Sequence, residues 1–187
     1  MSMLPLQIHL TLPPWLGDLV DTGKRYLTDE ERVDLAIQLS SHNIEHGLGG
    51  PFGAAVFDGQ GRVISVGVNR VVPQSCSVAH AEMMAYMAAQ QRMASFRLNG
   101  DGGRYILATS AQPCCQCYGA TVWAGVDELL IGARAEDVME LTAFDEGPLP
   151  ADWVGELERR GIAVRRDILR DEARAVLAAY GARGQSY

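Results

Sequence analysis

The stretch "RYILATSAQPCCQCYGATVWAGVDELLIGA", Arg104 to Ala133, decides how the rest of the chain is read. "RYILATS" and "ELLIGA" are short apolar runs that predict buried strands. Between them "PCCQCYGATVWAGV" predicts a helix, with Pro113 suited to its first turn. Downstream come a polar stretch, "RAEDVMELTAFDEGPLP", broken by Gly147 and Pro148, then a helix in "ADWVGELERRG", a strand around "IAVRRD" and a last helix in "ILRDEARAVLAAYG". Upstream, "SVAHAEMMAYMAAQQRM" is apolar on nearly every side from Ala79 to Ala89, the pattern of a buried helix. "PFGAAVFDGQGRVISVGVN" reads as a hairpin of two strands. "LTDEERVDLAIQLSSHNIEHG" reads as a helix. Thr28 and Glu31 form a capping box, Val33, Ala36, Ile37 and Ser40/Ile44 carry its stripe, and Gly47 ends it. A helix, a hairpin, then alternating helices and strands make an α/β chain, with a single sheet covered on both faces.

Bulk properties narrow the classes. A chain of 187 residues, 48% hydrophobic and 21% charged, buries a real core and predicts one domain. We read residues 1–27 as an extended arm over the body and 181–187 as a tail. The first twenty residues lack a positive n-region and carry three prolines, so they do not read as a signal peptide, and a cytoplasmic protein is expected. No apolar run approaches the length of a membrane span. The net charge of −7 is a poor match for a phosphate backbone, so no nucleic-acid partner is expected. Arg159-Arg160 and Arg165-Arg166 read as solvated faces.

Four cysteines without an export signal do not read as a disulfide framework. Cys114 and Cys117 stand in C-x-x-C at a helix start, where the dipole and free N–H groups favour thiolates. Cys115 and Cys76 read as small buried side chains. His80 and Glu82 lie about 200° apart on a regular helix. They serve one site only if the helix begins between them, as Pro73, Ser75 and Ser77 upstream suggest. Zinc takes thiolate and imidazole, and three protein ligands with one open position mark a catalytic site. His80, Cys114 and Cys117 are the expected ligands. Glu82 is then free for general acid/base work beside a metal-activated water. The pairing H-x-E with P-C-x-x-C is the signature of zinc-dependent nucleobase deaminases.

With these motifs the chain resembles the cytidine deaminase-like superfamily, in its purine-base branch of guanine deaminases and relatives. The resemblance runs from about Thr28 to the C-terminus through "PFGAAVFD", "GVN" ending in Asn69, "AHAE", "PCCQC" and "ELLIGA". It implies a three-layer fold with a five-stranded mixed sheet, a zinc ion on His80, Cys114 and Cys117, and Glu82 as proton shuttle. It implies base binding by Asn69, Phe52 and Phe144, and a second acid in "FDEG". Asp145 and Glu146 are both candidates, with Glu146 favoured because Gly147 suits a tight turn. It also implies a homodimer, and a tail whose Tyr187 reaches an active site. The expected substrate is a free nucleobase-like molecule, guanine first. Cytosine, cytidine, an aminotriazine or an adenosine in transfer RNA remain alternatives, as does a structural zinc module closed by a fourth ligand. Where many relatives carry Glu before the motif's proline, Gln112 stands here, and one acidic contact is missing.

Overall fold

The structure, a computed structural model, describes residues 4, 6–47 and 49–184; Tyr187 lies outside the described residues. Helix α1 (Leu16–Leu19) interrupts the arm, so the arm is not wholly extended. Helix α2 (Asp29–Glu45) starts at the Thr28 capping box. Thr28 Oγ1 accepts from the Glu31 N–H, and Glu31 Oε2 accepts from the Thr28 N–H. Gly47 follows with a left-handed φ of 63°, the conformation that closes helices at glycine. Strands β1 (Gly53–Asp58) and β2 (Val63–Val68) form the hairpin. A four-residue helix, α3 (Val71–Gln74), leads into α4 (Ala81–Met93).

Next come β3 (Tyr105–Ala111), α5 (Cys115–Ala124) and β4 (Glu128–Ala133). Pro113 stands two positions before α5 rather than in its first turn, because Cys114 is still extended at φ −65° and ψ 174° and acts as the N-cap. The polar stretch holds a helix that its composition did not predict, α6 (Ala135–Leu141). Helix α7 (Trp153–Glu158), strand β5 (Ala163–Arg165) and helix α8 (Arg170–Gly181) complete the order.

The sheet is five-stranded and mixed, ordered β2-β1-β3-β4-β5. β1 is antiparallel to both β2 and β3, and β4 is parallel to β3 and β5. Side chains alternate across it, as the two-residue period requires. Ala55 and Phe57 face α2 and α8, with Leu39 and Leu177 in the same core. Ala54 and Val56 face the other way, toward Ala81, Ala85 and Ala89 of α4 and Leu157 of α7. Three layers therefore enclose two apolar cores. Gly67 lets α4 lie directly on β2, since a Cβ there would strike the Ala81 carbonyl oxygen.

Candidate active site

The site forms where α4 and α5 begin on one face of the sheet. His80 is the N-cap of α4, extended at φ −70° and ψ 160°, and the helical spiral starts only at Ala81. His80 and Glu82 therefore escape the opposed directions that mid-helix spacing would impose. Cys114 caps α5 in the same way, and Cys117 sits in that helix's first turn. The His80 Nδ1 lies 3.4 Å from Cys114 Sγ and 3.6 Å from Cys117 Sγ. All three donor atoms lie within 4.8 Å of one another. A tetrahedral zinc with its usual bond lengths sets nitrogen and sulfur roughly 3.6 Å apart. The donor set and its spacing thus fit zinc.

The three donors also act on one another's charges. A hydrogen bond from Cys117, then one from His80, hold the Cys114 thiol down at about 4. The same pairing and burial push the Cys117 thiol up. The hydrogen bond to Cys114 raises the His80 imidazole above its ordinary value. Glu82 is buried and raised to about 7, chiefly by desolvation and then by the Cys114 charge. Its Oε2 lies 3.3 Å from Cys117 Sγ. Burial, followed by the charges of Cys114 and Glu82, raises Glu146 to about 8.

A cavity of about 340 Å³ opens beside the cluster, the lower end of the range for small-molecule sites. Phe52, Asn69 and Phe144 line it, with Glu82 and Glu146. Asn69, at the end of β2, is buried, and its Oδ1 accepts from the N–H groups of Gly50 and Val71, each at 3.3 Å. Phe52 packs on Phe144 with centroids 5.3 Å apart, and Phe144 stacks on Tyr180 of α8 at 5.7 Å. Nothing in the sequence marked Tyr180, because its role depends on a ring 36 positions away.

The "FDEG" segment separates its two acids. Asp145 is exposed, and its Oδ1 accepts from the Gly147 N–H at 2.9 Å. Glu146 is 8% exposed and lines the cavity. Gly147 makes the turn at φ 66°, and a Cβ there would sit 2.5 Å from Cys115 Sγ. The Cys115 N–H donates to the Glu146 carbonyl at 2.9 Å, fastening the segment to α5. Cys115 is exposed rather than buried, and Cys76 is half-buried. C-x-x-C on a helix start turns the intervening Cys115 outward while its neighbours face the metal position.

The family described as the cytidine and deoxycytidylate deaminase zinc-binding region matches residues 27–133. A solved structure of the guanine deaminase from Nitrosomonas europaea is 41% identical, with a TM-score of 0.89, over 97% of this chain and 100% of that one. A crystal structure of a variant protein in complex with 8-azaguanine is 42% identical, with a TM-score of 0.89, over 95% of this chain and 98% of its own. The guanine deaminase of Bacillus subtilis is 33% identical over 120 residues, 64% of this chain and 73% of the relative. The match extends across both helix N-termini and the three donor residues His80, Cys114 and Cys117, and the chain belongs to the family of the cytidine and deoxycytidylate deaminase zinc-binding region.

Proposed function

We propose that the protein hydrolyses guanine to xanthine and ammonia. The observation that carries this is the second buried carboxyl, Glu146, in the same cavity as Glu82. A pyrimidine deaminase has no need of it. The relatives at 41–42% identity support the same reading.

His80, Cys114 and Cys117 would hold the zinc, which when bound supplies a Lewis acid that lowers the pKa of water toward ~7. Glu82 takes a proton from the attacking water and passes it to a ring nitrogen of the base as the new C–O bond forms at C2. A carboxyl poised near neutrality does both well. Glu146 gives a proton to the departing amine as the C2–N bond breaks, and ammonia leaves. Both carboxyls recover their starting protonation when the new hydroxyl of the product loses its proton. Asn69 is held by backbone amides and positions the base, and the Phe52–Phe144 pair provides a flat wall for it.

The cavity size and the net charge of −7 favour a free base over transfer RNA. Three of the four paired arginines are tied to carboxylates, Arg159 and Arg160 to Asp152 and Glu156, and Arg165 to Asp29 and Glu128, while Arg166 lies over the Trp153 ring. No helix among the described residues is long and apolar enough to cross a membrane. We also propose a homodimer acting in the cytoplasm. The test is ammonia release by the zinc-loaded protein from guanine, adenine, cytosine, cytidine and an aminotriazine. Turnover of guanine, lost in Glu146→Gln, is expected. Turnover of cytosine with guanine inert would remove the purine reading and leave the zinc chemistry in place.

A further inference from the structure

Gln112 lines the active-site cavity and is 7% exposed. Its backbone N–H donates to the Ala133 carbonyl at 2.8 Å and extends the pairing of β3 with β4. Any residue but proline can do that. Its side-chain amide makes no hydrogen bond among the described residues. The neighbouring buried amides differ. Asn43 Nδ2 donates to the carbonyls of Gly50 and Asn69 at 2.9 and 3.1 Å, and Asn69 Oδ1 accepts from two backbone amides. Those two hold the backbone together, whereas Gln112 holds nothing. A base entering the cavity strips water from this amide, and a buried amide left unpaired weakens binding.

The chemistry of the lining indicates its partner. Glu82, Asp145 and Glu146 bring carboxyls to the cavity. In the proposed reaction Glu82 and Glu146 are engaged at the ring nitrogen and the amine, on the C2 side of the base, and an ionised carboxylate repels a carbonyl oxygen. A base that carries both an amino and an oxo group needs a donor for the oxo oxygen, and an amide provides one. Resting on the guanine reading, we propose that Gln112 is a specificity-determining residue whose Nε2 donates to the exocyclic carbonyl oxygen of the bound purine. A Glu at this position has no donor to offer when ionised. The amide can therefore serve a 6-oxo purine through Nε2, whereas an ionised Glu in its place could serve only a 6-amino one.

The test uses the zinc-loaded wild-type protein with Gln112→Met and Gln112→Glu. Each is assayed on guanine, on 2,6-diaminopurine and on 2-aminopurine, which has no substituent at C6. Titration calorimetry of 8-azaguanine gives a readout independent of turnover. Met keeps the length of the side chain and removes the donor. We expect Gln112→Met to raise KM for guanine about tenfold to a hundredfold with kcat little changed. It should weaken 8-azaguanine binding by a similar factor and leave 2-aminopurine untouched. Gln112→Glu should shift the kcat/KM ratio of guanine to 2,6-diaminopurine toward the diamino base by about tenfold or more. Equal losses on all three bases, or an unchanged KM for guanine, would overturn the assignment while the guanine reading stands. Loss of bound zinc in Gln112→Met would overturn it too, by placing the residue in the metal site. A wild-type protein inert toward guanine would defeat both readings together.

Discussion

Glu146 carries the clearest residue-scale prediction, because its surroundings resist its charge. Its carboxyl is raised from 4.5 to about 8. A carboxyl raised on folding contributes stability that is fully present below about pH 4.5 and is lost as pH climbs to about 8. Glu146→Gln removes that dependence. In metal-free protein the variant should gain on wild type between pH 5 and pH 8.5, by on the order of 2 kcal/mol in urea unfolding. A stability difference that stays flat across this range would refute the shift. In the zinc-loaded enzyme the same substitution should lower kcat for guanine about 10²- to 10⁴-fold. His80, Glu82, Cys114 and Cys117 were legible in the sequence because each pair lies within a few residues and local backbone geometry aims both members. The expected inward turn at Gly147 rests on a local φ of the same kind. Cys115 was misjudged for a related reason: its direction depends on a spiral that only starts at that residue.

Among the elements, α6 shows where reading along the chain runs short. Its apolar positions, Ala135, Val138, Met139 and Leu141, sit within a polar stretch, and its anchor is a buried acid. Asp137 is 1% exposed and accepts from Arg170 Nε and Nη2 at 2.8 and 2.7 Å, from Arg174, and from the Arg134 N–H at 2.8 Å. Two of those partners lie more than thirty positions away on α8, beyond the reach of any local pattern. These contacts hold the Asp137 carboxyl well below the usual carboxylate range. Its contribution is therefore present above about pH 4 and fades as pH falls through the lowered value. Asp137→Asn should cost about 2–3 kcal/mol at pH 7, discounting for the partly solvated arginines. The deficit should shrink on acidification toward pH 2, as followed by chemical denaturation. Because α6 runs directly into Phe144 and Glu146, the variant should also lower kcat with its zinc content intact. The helix that could be read, α2, was legible because Thr28 and Glu31 cap it within one turn.

At the scale of the whole molecule, the layer pattern was readable from element order, but strand order was not. β3 stands between β1 and β4, and nothing local to "RYILATS" names its partners. The family resemblance implied a five-stranded mixed sheet without its strand order. The outer surface makes a prediction of its own. Phe96 is 88% and Trp123 74% exposed, with Met87 beside them next to α4 and α5. Patches of large apolar side chains mark contact surfaces more often than bare solvent faces. If the proposed homodimer uses this face, Trp123→Glu should sediment as a monomer where the wild type sediments as a dimer. A variant that stays dimeric would move the interface elsewhere.

The Phe144–Tyr180 stack has a consequence in time. A ribosome makes the chain from its N-terminus, and the proposed metal donors, His80, Cys114 and Cys117, are complete once Cys117 has been added. The aromatic wall is not, because Tyr180 stands near the end of the last helix. A nascent chain can therefore assemble its metal donors while the rest is still being synthesised. The wall proposed for a flat base is complete only when α8 has packed against Phe144.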